Sequence, residues 1–465
     1  MGIDFNDRLS AQLDYRGLRA AFAPEAIYQA FLDVERAVAL AQGKLGMIPA
    51  NSAAAIAAAC NVERLDRSRI EMGFATTRHP LMPLINELVR VVGEQHGGYV
   101  HWGITTQNVI QSGILLLAQR AQATLDELLS EILAHLGRHA RAHATTTMAG
   151  RTHYRHAVPI TFGFKVAVWI DELLQAIDRL NEVRARAFVV MSGGAVGCFS
   201  ALGPQGPAFQ REVAQLLGMG EMAIPSRAIR THMCDYMNAL GLAAAVCHRI
   251  AEEVYQSSAE EYDEIHEGRV AGSIGSSTMP QKINPILTYG IIAGAERLYA
   301  LAGMLMSRAH RPFESDGSAN QIFEDAMPDA IGAMADVLVR TEAMLRDLVV
   351  DPARMLKNLD LSHGAIHGEL VMMQFGRTLG KHTAHEKVHD IAVSAADGGR
   401  PFMEQIASLP GGGELRAEID RRLSSGGSNG LCAEYALHFG ALAERAANGT
   451  LPTPAERLLH VESPC

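Results

Sequence analysis

The chain has 465 residues, with 41 Lys and Arg against 51 Asp and Glu, so its formal net charge is −10. With 48% hydrophobic and 20% charged residues it has a globular composition, which excludes a disordered chain of low hydrophobicity and high net charge. The mild acidity argues against general nucleic-acid binding, and no apolar run reaches the ~18 residues that a membrane-spanning helix requires.

The opening MGIDFNDRLS is polar, has early acids and lacks the apolar core of a secretory signal. Asn6 departs from the myristoylation pattern. Six cysteines, at 60, 198, 234, 247, 432 and 465, form no CxxC or CxxH pair. A zinc knuckle or dithiol redox motif is therefore not expected. The reading is a cytoplasmic protein with reduced thiols that contacts neither membrane nor nucleic acid.

Taken in chain order, the dominant period is helical. Thr77-Arg78-His79-Pro80 and Gly97-Gly98 interrupt the first helical stretch. Thr105, Thr106 and Asn108 suit the cap of a following helix. Leu125, Leu128, Ile132 and Leu136 recur at steps of three and four, as do Ile170, Leu173, Ile177 and Leu180. Each set predicts one apolar stripe on a long helix. Between them lies a polar connection, Gly150 to Pro159, and after them the break Gly193-Gly194. Ala-rich stretches at 237–251 and 291–305 flank a Gly/Ser/Pro segment at 272–285. Asp351-Pro352 marks a boundary, because a residue before Pro is biased away from helix. Looser stretches follow at 410–413 and 424–430, and the Pro-containing tail beyond Asn448 is expected to be poorly ordered. The fold class is all-α. A small helical domain is expected at 1–111, a central bundle of long helices at 112–350 and a C-terminal helical domain at 351–465. The central stripes look more extensive than one bundle buries, which points to packing between subunits.

Three segments carry groups suited to chemistry. In GSSTMPQKINP, at 275–285, small residues leave backbone N–H groups open to an anion, Lys282 adds a cation and Asn284 an amide donor. A flexible linker is the plain alternative. In GRTHYRHAVP, at 150–159, Arg151 and Arg155 accompany His153 and His156. Arg forks onto carboxylates and His exchanges protons near neutral pH; a solvated connection between helices is the alternative. In HWGITTQN, at 101–108, the Thr hydroxyls and the Asn108 amide can cap a helix or hold a carboxylate at its start.

Occurring together in this order, the three segments resemble the conserved regions of the fumarase/aspartase superfamily. GSSTMPQKINP resembles its signature loop almost residue for residue, HWGITTQN its first region and GRTHYRHAVPITFG its second. The resemblance implies three helical domains around a long-helix bundle, a homotetramer with a 20-helix core, active sites shared by three subunits, and no metal or organic cofactor. It also implies β-elimination. A base removes a proton beside a carboxylate, an aci-carboxylate carbanion forms, and the group on the adjacent carbon departs, leaving fumarate.

Carried over by position, Ser276 is the base, acting as an alkoxide stabilised by loop N–H groups and Lys282. Lys282 and Asn284 hold a substrate carboxylate, with Ser277 and Met279 beside them. Thr105, Thr106 and Gln107 form the carboxylate turn, in which Asn108 replaces the Asp of many relatives. His153 matches the general acid of adenylosuccinate lyase, and His156 is the alternative. Arg78, His79, His101, Arg151 and Thr152 complete the expected binding set for a small di- or tricarboxylate.

FLDVERAVALAQGKLGMIP and QIFEDAMPDAIGAM resemble 3-carboxy-cis,cis-muconate cycloisomerase and its lyase relatives. ESDGSANQIFEDAMPD lacks the Ser-rich, Arg-ended phosphate run of adenylosuccinate lyase, so a nucleotide substrate is disfavoured. Tyr289 stands where many relatives carry a Glu that pairs with the catalytic His. The lead expectation is a lyase acting on a 2-substituted succinate with an amine or nitrite leaving group. The alternatives are the cycloisomerase and a silent structural homologue, the last disfavoured by retention of Ser276, Lys282 and Asn284.

Overall fold

The computed structural model of the chain describes residues 13–268, 276–310, 312–424 and 430–460. Among these the elements are overwhelmingly helical, as the periodicity demands. Six long helices organise them: α1 (Pro24–Lys44), α2 (Thr106–Ala142), α3 (Phe162–Ala187), α4 (Thr231–Ser257), α5 (Ile286–Met306) and α6 (Gly317–Arg346). The described residues group into two compact units that interleave along the chain. One takes Met1–Glu127, Ala176–Ala245 and Ala293–Val339, the other Leu128–Gln175, Val246–Ile292 and Arg340–Cys465.

In the first unit, α1 starts at Pro24, whose fixed φ suits a first helical turn. It buries Ala30, Phe31, Leu32, Val34 and Val38. Gly113 of α2 lies so close to Phe31 that a Cβ there would sit 2.5 Å from the ring. Tyr236 of α4 is fully buried, and its hydroxyl donates to Gln122 Oε1 at 2.7 Å. A buried phenol without such a partner would cost the desolvation of its O–H.

In the second unit, Leu128, Ile132 and Leu136 of α2 and Ile170 and Leu173 of α3 are buried. His135 of α2 meets Glu342 of α6 at 2.9 Å, and His139 binds the Leu345 carbonyl at 2.8 Å. Val371, Val388, Phe402, Ile406 and Ile419 form a separate apolar cluster beyond Asp351. Asp351 caps the helix Pro352–Leu359, accepting from Arg354 N at 2.9 Å.

Three features differ from the sequence expectation. First, the segment read as a polar connection is an antiparallel hairpin, β1 (Thr147–Thr152) and β2 (Arg155–Thr161). Thr147 faces Thr161, Arg151 faces His156, Thr152 faces Arg155, and a bulge falls between Ala149 and Arg151. Its strands alternate poorly because the inner half of β1 is buried on both faces, so the period of two is hidden. Second, all eight stripe residues from Leu125 to Leu180 are buried within a single chain. They therefore do not by themselves require further subunits. Third, the tail beyond Asn448, expected to be poorly ordered, is tied down through Glu456. Glu456 accepts from Thr453 N at 2.8 Å, from its hydroxyl at 2.9 Å and from Arg445 at 2.7 Å. These bonds hold the Glu456 carboxyl down at about 2.

Candidate active site

The sequence candidates fall into two sets. Arg78, His79, His101, Thr105, Thr106 and Gln107 belong to the first unit; Arg151, Thr152, His153, His156, Ser276, Ser277, Met279, Lys282 and Asn284 belong to the second. Residues 272–275 of the signature loop lie outside the described residues.

In the first unit, Arg78 ends the helix Arg67–Thr77 in a left-handed conformation, φ 54°. The Nδ1 atom of His79 accepts from Leu81 N at 3.2 Å and Met82 N at 3.1 Å, so it caps the next helix, Met82–Val92. That leaves Nε2 to carry the ring proton. His101, also left-handed, places Nδ1 2.6 Å from the buried Glu35 carboxylate. Gly103 follows with φ +69°, and a Cβ there would lie 2.6 Å from Leu202. Only glycine meets both demands.

Thr105 then starts α2. Asn108 reaches back to accept from Thr105 N at 3.0 Å, the reciprocal half of a capping box. Gln107 is buried and bonded at both ends of its amide: Nε2 donates to Glu324 Oε1 at 3.2 Å, and Oε1 accepts from Asn320 Nδ2 at 3.1 Å. Asn320 in turn accepts from Arg230. Neither Arg230, Asn320 nor Glu324 was singled out from the sequence, because nothing local marks them. Pro328 supplied the one faint signal. It stands inside α6 and cannot donate to the Glu324 carbonyl four residues before it. The break at Gly193-Gly194 is likewise more than punctuation. Asn108 Nδ2 donates to Gly194 O at 3.4 Å and Met191 N to Ser112 Oγ at 3.2 Å, so this glycine-rich strand of loop lies along the first turns of α2.

In the second unit, His153 and Tyr154 form the two-residue tip of the hairpin with φ 51° and 60°. Positive φ at both central positions is the type I′ pattern, normally left to Asn and Gly. A left-handed His and Tyr store strain of order 1 kcal/mol each. Thr152, His153 and Tyr154 are exposed. Arg151 is not. Its guanidinium forks onto Glu264 at 2.7 and 2.9 Å and lies 5.2 Å from the centre of the Tyr262 ring. Glu264 is fully buried and accepts a third bond from Asn358 at 3.0 Å. His156, opposite Arg151, is held below the usual imidazole range, first by burial and then by the Arg151 charge. A cavity of about 330 Å³ opens beside the tip, lined by His153, Lys165, Arg249, Glu253 and Tyr262 among others. Lys165 and Glu253 pair across it at 2.6 Å.

On the loop, the Ser276 hydroxyl accepts from Met279 N at 3.1 Å and Thr278 N at 3.4 Å. Two backbone N–H groups thus converge on the oxygen, the arrangement that favours negative charge there. Lys282 N donates to Met279 O at 3.0 Å, closing the turn. Ser277, Met279 and Lys282 are exposed, and Ser276 and Asn284 are half-buried. Glu267 ties the base of the loop to α5, accepting from Thr288 N at 3.0 Å and its hydroxyl at 2.8 Å.

The family described as "Lyase" matches residues 10–297. The N-acetyl-S-(2-succino)cysteine lyase of Enterococcus italicus is 32% identical over 90% of this chain and 92% of its own. The chain belongs to the fumarase/aspartase superfamily of lyases. A second relative of this lyase, the 3-carboxy-cis,cis-muconate cycloisomerase of Pseudomonas aeruginosa, is 32% identical over 94% of this chain and 96% of its own. The crystal structure of the 3-carboxy-cis,cis-muconate lactonizing enzyme from Pseudomonas putida superposes with a TM-score of 0.84 at 26% identity, covering 95% of this chain and 100% of that one. Among its described residues the lyase has no cluster of three metal-ligating side chains and no helix long and apolar enough to cross a membrane.

Proposed function

We propose that this lyase eliminates HX from a 2-substituted succinate and releases fumarate. The observation that carries the reading is the Ser276 hydroxyl accepting from two backbone N–H groups on an open loop. Those donors would stabilise the alkoxide that a serine must become to act as a base. In the reaction Ser276 takes a proton from the carbon beside one carboxylate. The electron pair left behind is delocalised into that carboxylate as an aci-anion. It then forms the C=C bond as the C–X bond breaks, and X takes the bonding pair. Lys282 and Asn284 hold the carboxylate that carries the aci-anion. Thr105, Thr106 and Gln107 hold the other from a neighbouring subunit, in a homotetramer whose sites three chains share. Arg151 is bound to Glu264 and so shapes the hairpin rather than the substrate.

The proton supply favours a weakly basic X. Burial, and then the Arg151 charge, lower His156 below its ordinary value and so disfavour its imidazolium, and position 289 offers a phenol in place of a carboxylate. A thiolate or nitrite departs without a strong acid, whereas an amine needs His153 protonated. A succinyl thioether is therefore placed first, in keeping with the relative named for a succinocysteine. A second reading, cycloisomerisation of a carboxylated muconate, is favoured by the likeness to the two muconate enzymes and uses the same carbanion.

The test is to incubate purified protein in D₂O with a succinyl thioether, nitrosuccinate, an N-substituted aspartate and carboxymuconate. The fumarate and muconate absorbance bands are followed, and recovered acids are analysed for deuterium. Fumarate from the thioether or nitrosuccinate is the expected result. Turnover of carboxymuconate alone would remove the lead reading in favour of the second.

A further inference from the structure

We infer that Arg230, Asn320 and Glu324 are positioning residues that set which end of the Gln107 amide faces a bound substrate carboxylate, and this rests on the carboxylate-turn reading given above.

The four side chains form one head-to-tail series within the first unit. Arg230, just before α4, donates to Asn320 Oδ1; Asn320 Nδ2 donates to Gln107 Oε1; Gln107 Nε2 donates to Glu324 Oε1. A guanidinium has only donors. It therefore demands the oxygen end of Asn320, which turns the Asn320 NH₂ toward Gln107. That NH₂ demands the oxygen end of Gln107, which turns the Gln107 NH₂ toward Glu324. Both amide orientations follow from the chemistry of Arg230 at one end and of an acceptor at the other. Asn320 and Glu324 are four residues apart on α6, so both present the same face to Gln107.

The series is costly, which argues that it does something besides pack. Arg230 is 5% exposed, and its Nη1 is buried without a hydrogen-bond partner. Burial pushes the Arg230 guanidinium down and the Glu324 carboxyl up, the directions expected of charges taken out of water. An apolar trio would pin α2 to α6 at lower cost. What an apolar trio cannot do is hold an amide with its NH₂ on a chosen side. Gln107 is the second residue of α2, beside Thr105 and Thr106 at the helix start. With Nε2 held toward Glu324, the second N–H of that NH₂ would be the group the amide adds to a carboxylate site; a flipped amide would present a carbonyl and repel the same ligand.

The experiment uses full-length protein and a double-mutant cycle. Glu324→Leu removes the acceptor and should raise both KM for the best succinate found and the inhibition constant of fumarate by roughly 10- to 100-fold, the weight of one hydrogen bond to a charge, with kcat little changed. Glu324→Gln keeps an acceptor oxygen and should restore wild-type KM. Gln107→Leu with Glu324→Leu should be no worse than Gln107→Leu alone, because Glu324 acts only through Gln107. If Glu324→Leu does not fold, Asn320→Ala enters the same cycle. Wild-type KM in Glu324→Leu, or losses that multiply in the double variant, overturns the inference. Wild-type protein that neither turns over a 2-substituted succinate nor binds fumarate overturns the parent reading, and this one with it, before any variant is made.

Discussion

Arg151→Met separates a structural arginine from a substrate-binding one. The wild-type guanidinium lies 17% exposed against a carboxylate that is fully buried. The two groups meet through two bonds of 2.7 and 2.9 Å. Taking the charge centres about 4 Å apart and an effective dielectric of 20, their attraction is about 4 kcal/mol. Removing the cation leaves Glu264, among the described residues, with only Asn358 as a side-chain donor at 3.0 Å, a buried and uncompensated charge. The expected cost is about 3–5 kcal/mol. Because a chain of this size need not unfold in one step, the loss is best read locally, by hydrogen exchange across β1, β2 and the segment 262–266. Amides there should lose protection by two to three orders of magnitude, roughly 1.4 kcal/mol for each tenfold change. Arg151→Met with Glu264→Leu should recover most of it, since a packed apolar pair replaces an ion pair at little cost. Wild-type protection in Arg151→Met, together with a raised KM, would mean that the guanidinium leaves Glu264 to hold substrate and would refute the structural assignment.

Ser276→Ala should abolish nearly all turnover and the associated solvent deuterium exchange while leaving the helical circular dichroism unchanged, because the loop is open; near-normal rates would show that another group is the base. His232 gives a pH dependence of defined sign. Burial, with Arg230 next, holds it at about 4, below its ordinary 6.5. The unfolded chain therefore binds the proton first on acidification. Stability from this group is intact above pH ~6.5 and falls by up to about 3 kcal/mol as the pH drops to ~4. His232→Gln should flatten the denaturation midpoint over that range, and an unchanged slope would contradict the buried, neutral imidazole.

The helices were legible because their signal is local. Leu125, Leu128, Ile132 and Leu136 encode a buried face through spacing alone, and Asp351-Pro352 encodes a helix start in two residues. The loop chemistry was legible for the same reason. Ser276 takes its two donors from residues two and three places on, so the sequence window that names the serine also contains its backbone partners.

Other features were written in no window. The hairpin at 147–161 was hidden because β1 is buried on both faces where it meets the core, erasing the alternation that marks a strand. Arg151 read as a free cation until Glu264, 113 residues away, was seen beneath it. Gln107 was placed in the carboxylate turn, with nothing to show that Asn320 and Glu324 close on both ends of its amide from more than 200 residues away. Sequence by itself determined the helical class, the place of the Gly/Ser loop and the set of polar residues available for chemistry, because those depend on spacing along one stretch of backbone. Only the tertiary structure decided which of those polar groups are already spent on one another, since a buried charge or amide must find its partner wherever the chain brings one within reach.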